Sequence, residues 1–239
     1  MRFMGKKVLI TGGSRGIGLA TAKAFLKEGA EVVITGRSES VVTVADQLGS
    51  HAHPLIWDMQ LIEQLPAKLE KAIQLMGGLD VVVNNAGVLM GPSFETITVE
   101  EFDTTMAVNV RGVFFLCQHA CAYMKEHGIH GHIVNVCSNM GFRMIGDAPY
   151  GMSKWAVRGL TMGLGRSAAR YGVIVNGIAP GPVTTEMMHF KEGQENHFPH
   201  IPIERFTTPE EIAGTILFLA ESDSIVGDVI VQDGGERLY

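Results

Sequence analysis

Lys7-Val8-Leu9-Ile10-Thr11-Gly12-Gly13-Ser14-Arg15-Gly16-Ile17-Gly18 reads as a short apolar strand running through a glycine-rich turn into a helix. A brief apolar run bounded by a turn fits a strand buried on both faces, the kind found in parallel sheets. The glycines are spaced Gly-x-x-x-Gly-x-Gly. That is neither the Gly-x-Gly-x-x-Gly pattern nor a P-loop, since no Lys-Ser/Thr follows a Gly-x-x-x-x-Gly. Positions without side chains still let backbone N–H groups and a helix N-terminus approach a pyrophosphate. Gly12, Ser14, Arg15, Gly16, Ile17 and Gly18 are therefore expected to hold the phosphates of a dinucleotide.

Outward from that turn, strands and helices alternate. A helix pattern covers 17–28 and stops at Gly29, a strand covers 31–35, and a helix follows to about 48. A third strand ends near Trp57-Asp58, a helix covers 61–75, and a fourth strand covers 80–83. Thr98 with Glu101 forms a capping box opening one long helix expected to run to about His127. Strand 133–136, the helix of Tyr150 and strand 173–178 come next. Thr208-Pro209-Glu210-Glu211 combines a cap, a first-turn proline and an N3 glutamate. Strand 229–231 then precedes Asp233-Gly234-Gly235. This alternation predicts an α/β protein: a doubly wound parallel sheet of about seven strands with helices on both faces. No linker or repeat interrupts it, so 1–239 is expected to form a single domain.

The 239 residues, 46% hydrophobic with 29 glycines, suffice for one large core with many tight turns. No apolar run approaches the ~18 residues needed to span a bilayer, and Met1-Arg2-Phe3 leads almost at once into a strand, leaving no room for a signal peptide. A cytoplasmic protein without membrane partners is expected. The net charge of −6, with no basic patch, argues against nucleic acid. Cys117, Cys121 and Cys137 lack metal-ligand spacing and read as reduced, mostly buried thiols.

Two further positions speak to chemistry. Dinucleotide folds that take NAD usually offer a carboxylate at the end of the second strand for the ribose 2′-hydroxyl. Here that strand ends Ile34-Thr35-Gly36-Arg37-Ser38. Arg37 and Arg15 would instead bracket a 2′-phosphate, which favours NADP(H) over NAD(H). Later in the chain, Tyr150 and Lys154 lie four residues apart, on one face of a helix. A free phenol is a poor acid or base at neutral pH; a neighbouring cation favours its phenolate and fits it for proton transfer.

With these pieces stand Asn84-Asn85-Ala86-Gly87, Asn109, Asn135-Val136-Cys137-Ser138 and Pro180-Gly181-Pro182-Val183-Thr184-Thr185. In this order and spacing the chain resembles the short-chain dehydrogenase/reductase family over nearly its whole length, and the 3-oxoacyl-carrier-protein reductases within it. The resemblance implies a Rossmann-type sheet and interconversion of a ketone and a secondary alcohol by hydride transfer. It implies that Tyr150 exchanges the proton with the substrate oxygen while Ser138 hydrogen-bonds that oxygen. Lys154 would support the Tyr150 phenolate and bind the nicotinamide ribose, and Asn109 would hold a water linking Lys154 to solvent. Asn85, Ala86 and Gly87 would line the cofactor, Asp58 would contact adenine, and Pro180, Gly181, Val183 and Thr185 would meet the carboxamide end. Ile174 departs from the arginine that often precedes the Val-Asn of this family, a matter of sheet support rather than chemistry.

The segment 186–206 folds over the substrate in this family; Met187, Met188, Phe190 and Phe198 would make it an adaptable apolar lid. His51, His53, His127, His130 and His132 read as surface histidines, since none has zinc-ligand spacing. Gly159, Gly163 and Ser167 recur every four residues on the Tyr150 helix. That stripe, with the dimer interface the resemblance implies for this helix and the preceding long one, points to a homodimer or homotetramer. A 3-oxoacyl-type carbonyl reductase is the favoured expectation, with a hydroxysteroid or polyol dehydrogenase using the same site as the alternative. A catalytically silent NADP-binding sensor is the third alternative, disfavoured because serine, tyrosine, lysine and Asn109 are all retained.

Overall fold

The computed structural model describes every residue except 91–93, 144–147, 192 and 239, together with the side chain of Ala148. Its centre is a seven-stranded sheet, all parallel, in the order β3-β2-β1-β4-β5-β6-β7. The strands are β1 Lys7–Ile10, β2 Glu31–Gly36, β3 Ala52–Ile56, β4 Val81–Asn84, β5 His132–Val136, β6 Ile174–Pro180 and β7 Val229–Gln232. Between them run α1 Gly16–Lys27, α2 Ser40–Leu48, α3 Leu65–Met76, α4 Val99–Met106, α5 Val113–Glu126, α6 Ala148–Ala168 and α7 Pro209–Leu219. This is the Rossmann-type doubly wound α/β architecture expected from the alternation.

Successive strand side chains point to opposite faces, and here both faces are apolar. Val8, Ile10, Val32, Ile34, Val81 and Val83 pack with α1, α2 and α7, where Ala22, Phe25, Val41, Ile212 and Ile216 meet them. Leu9, Val33, Val82, Ile133 and Val175 pack on the other face with Leu69, Leu116, Cys117 and Val157 of α3, α5 and α6. Each such valine, leucine, isoleucine or phenylalanine, taken from water to full burial, contributes about 1.5–3 kcal/mol. Chain order reverses between β1 and β4, so the loops leaving those two strands part and open a crevice at their carboxyl ends.

Three differences from expectation have local causes. The helix predicted to run unbroken from Thr98 is divided: after the Thr98–Glu101 capping box and α4, a wide π-helical turn, Ala107–Gly112, precedes α5. The extra residue in that turn carries Asn109 inward, at 1% exposure. His132 is not a surface residue: it opens the interior strand β5 with its side chain 13% exposed, beside Asp223, and burial lowers its affinity for a proton. His53, on an edge strand, is half-buried and shares the Glu31 carboxylate with His51. The three cysteines are free and buried, as expected; burial pushes the Cys121 and Cys137 thiols up to about 11. No helix among the described residues is long and apolar enough to cross a membrane.

Candidate active site

The turn after β1 is built for close approach. Gly16 takes φ +52, in the left-handed region that favours glycine. A Cβ on Gly18 would collide with the carbonyl oxygen of Gly12, so α1 can leave the strand this tightly only with glycine there. Arg15 precedes α1 in extended conformation, no side chain caps the helix, and its first turn carries no acid. Unsatisfied N–H groups and the positive end of the helix dipole therefore face the crevice, which suits an anion.

The neighbouring loop is locked to this turn. The Thr11 hydroxyl accepts from Asn85 N at 3.1 Å and Ala86 N at 3.0 Å. The Asn85 carboxamide donates to the carbonyls of Thr11 and Gly12, both at 2.9 Å. These bonds hold Asn85, Ala86 and Gly87 across from the glycine turn. At the end of β2, Arg37 with Ser14, Ser38 and Ser40 lines the same crevice, followed by Trp57 and Asp58 after β3. Among the described residues from the β2 end that line the crevice, Gly36, Arg37, Ser38 and Ser40, none is a carboxylate. Arg15 forms an ion pair with Glu186 at 2.6 Å, an exposed contact between the turn and the start of the 186–206 segment.

At the other end of the crevice stand Ser138, Tyr150 and Lys154. Lys154 is 5% exposed; its Nζ donates to the carbonyl of Val136 at 2.9 Å and lies 5.5 Å from the centroid of the Tyr150 ring. Ser138 caps the 3₁₀ turn Asn139–Gly141, its hydroxyl accepting from Met140 N at 3.2 Å. Asn109 grips Val88 from both sides, accepting from its N–H at 2.8 Å and donating to its carbonyl at 2.9 Å. Its carboxamide also donates to Ser153 on α6 at 3.0 Å. Behind the site, a buried chain runs from Asn84 to Asn135 at 2.8 Å and from Asn135 to Thr161 at 2.9 Å, tying β4 and β5 to α6.

The crevice has a volume of about 670 Å³, within the ordinary range of cofactor sites. It brings together all the expected site residues except two, which stand one layer behind. Gly18 packs under the turn, and Asn109 supports Gly87 and Val88. Pro180, Gly181, Val183 and Thr185 form the wall after β6, where Val183 bridges to Thr207. Of the four expected lid residues, Met187 and Met188 reach the crevice. Phe198 stacks on Phe206 at 3.7 Å, with Phe190 6.2 Å from the same ring, so these two pack within the segment rather than line the crevice. Sequence reasoning passed over Asn139, Arg143 and Glu236, which line the crevice beside Ser138. Only Asn139 carried a signal, its adjacency to Ser138; the other two are brought in by long-range contacts.

Residues 6–196 match the family described as short chain dehydrogenase. A glucose 1-dehydrogenase of Gluconobacter oxydans is 38% identical over 253 aligned positions, covering 100% of this chain and 94% of that protein. A short chain dehydrogenase of Burkholderia cenocepacia, solved in complex with NADP, is 30% identical with a TM-score of 0.88, covering 99% of this chain and 100% of that one. A 3-ketoacyl-(acyl-carrier-protein) reductase of Brucella melitensis, solved with NADH, is 31% identical with a TM-score of 0.91, covering 98% and 99%.

Proposed function

The chain belongs to the short-chain dehydrogenase family and is an oxidoreductase acting on CH–OH and C=O groups; on that premise we propose that it reduces a ketone to a secondary alcohol with NADPH. The observation that carries this reading is the Tyr150–Lys154 pair facing Ser138 at the end of a glycine-lined crevice. The residues present fit a phosphorylated dinucleotide: an uncapped helix N-terminus for the pyrophosphate, and Arg15 and Arg37, with no carboxylate among the described crevice residues of the β2 end, for a 2′-phosphate. When bound, the nicotinamide would supply hydride to the carbonyl carbon.

The protein's own part is position and charge. Ser138 donates a hydrogen bond to the substrate oxygen, and Tyr150 gives that oxygen its phenolic proton as the alcohol forms. The Lys154 ammonium, desolvated and held by Val136, stabilises the phenolate left behind. Asn109 keeps Gly87, Val88 and the Ser153 turn in register, so that Lys154 stays within reach of solvent through a bound water. Tyr150→Phe keeps the ring and loses the proton. Turnover of any ketone should vanish while NADPH binding, read by fluorescence, stays near wild type; a mutant that turns over normally would refute the mechanism.

A 3-oxoacyl-type substrate is supported by the apolar mouth formed by Val88, Leu89, Met187 and Met188, and by the Brucella neighbour. A polyol is the second reading, favoured by Asn139, Arg143 and Glu236 in the wall and by the Gluconobacter relative. A panel of acyl, steroid and sugar ketones separates them. Self-association through α6 belongs to the same proposal: Gly159 and Gly163 face open space rather than the sheet, flanked by exposed Met152, Trp155 and Met162. The same reading takes 1–239 as one domain, with 186–206 closing over substrate.

A further inference from the structure

We infer that Glu236 is a positioning residue for Ser138, acting through the carboxamide of Asn139; the inference rests on reading Ser138 as the group that holds the substrate oxygen. No proton or hydride step above uses Glu236, yet it is tied to two neighbours that line the crevice, Asn139 and Arg143. Its Oε2 accepts from Asn139 Nδ2 at 2.7 Å, and its Oε1 pairs with the Arg143 guanidinium at 2.7 Å. A second Arg143 nitrogen donates to the Glu236 carbonyl at 2.8 Å. The pair is mostly shielded, with side chains 22% and 20% exposed.

The turn that carries Glu236 is itself built. Asp233, 6% exposed, accepts from Gly235 N and from Arg237 N, both at 3.0 Å. The residues before and after this carboxylate are thereby held, and its direction is set.

A carboxamide can sit either way round in the same volume, and its partners decide which. With Nδ2 committed to the Glu236 carboxylate, the acceptor Oδ1 of Asn139 faces Ser138 Oγ at 3.4 Å. Met140 N donates to the same Oγ at 3.2 Å. One lone pair of the hydroxyl is thus engaged, and its hydrogen points to a long, weak acceptor that a substrate carbonyl oxygen readily replaces. Without Glu236 the carboxamide can turn and offer its NH₂ to Ser138. The hydroxyl would then accept twice, and its hydrogen would lose its guide.

The test uses the full chain with Glu236→Ala, and with Glu236→Leu, which likewise offers Asn139 Nδ2 no acceptor, carrying the same measurements should the alanine variant not fold. A crystal structure of the variant at better than about 1.2 Å, where carboxamide oxygen and nitrogen can be told apart, should show Oδ1 and Nδ2 of Asn139 exchanged or the Ser138 hydroxyl moved off Met140 N. The kcat for a ketone that the wild type reduces should fall about tenfold, the effect of weakening one hydrogen bond to the reacting oxygen. The NADPH dissociation constant, read by fluorescence, should be unchanged. In a Ser138→Ala background the same substitution should have no further effect on kcat, because its route of action is gone. Asn139 and Ser138 unmoved in the variant structure, or an equal fall in kcat in both backgrounds, would overturn the inference. Should the wild type reduce no ketone, the proposed function fails and the structural comparison alone decides the role of Glu236.

Discussion

Asn135→Ala offers the sharpest test of how α6 is held against the sheet. Asn135 is fully buried; it accepts from Asn84 at 2.8 Å and donates to the Thr161 hydroxyl at 2.9 Å. The substitution deletes these two buried hydrogen bonds, each contributing about 0.5–1.5 kcal/mol, together with a weak one from the Cys117 thiol at 3.7 Å. It also leaves the Asn84 amide with only the Cys117 sulfur, 3.2 Å away, which adds about 1 kcal/mol or more of desolvation without return. With a void where the carboxamide stood, the total loss is about 3–4 kcal/mol. At roughly 2–4 °C per kcal/mol for a chain of this size, the Tm should drop by about 6–16 °C. Circular dichroism melting and urea titration measure it. Thr161→Val should cost about 1–3 kcal/mol, because it orphans the Asn135 amide instead. The double variant should cost less than the sum, since both changes remove one shared bond. A loss below about 1 kcal/mol for Asn135→Ala, or strict additivity of the pair, would refute the account.

Other outcomes follow from single contacts. Arg37→Asp places a carboxylate at the end of β2, so the ratio of NADPH to NADH dissociation constants should rise about 10–100-fold, the worth of one charge-assisted contact; an unchanged ratio removes the case for NADP. Glu211, held well below the usual carboxylate range at about 2 by hydrogen bonds from Arg205 and from the Thr208 cap, stabilises the fold above its unfolded value of about 4.5. That contribution is lost as pH falls from about 4.5 through 2. Wild type and Glu211→Gln should therefore differ by at most about 1 kcal/mol at neutral pH, the pair being partly exposed, and converge near pH 2 in urea titrations; a gap that widens with acid contradicts the linkage. Trp155→Glu should shift sedimentation to a smaller species, and a monomeric wild type would dispose of the α6 interface.

The sheet and the glycine turn were legible because buried parallel strands are continuous apolar runs and a strand that must turn at once into a helix needs glycine. Tyr150 and Lys154 were legible because helical spacing is local. What escaped the sequence is what depends on distant partners. Glu236 lies 97 residues from Asn139, and Arg15 meets Glu186 across 171. Phe190 and Phe198 were expected to face substrate, but both pack against Phe206 inside the same segment, a contact that spacing alone does not reveal. His132 looked polar and therefore exposed, yet a strand between β4 and β6 has no outside.

The wide turn at Ala107–Gly112 also sets the phase of everything after it. An added residue advances a helix by about 100° and 1.5 Å, so α4 and α5 do not share one apolar stripe. A wheel drawn through both would scatter the core positions of each. Shortening that turn by one residue would restore a regular rod and swing Asn109 away from Val88, uncoupling the wall of the crevice from the helix of Lys154 with no change to either.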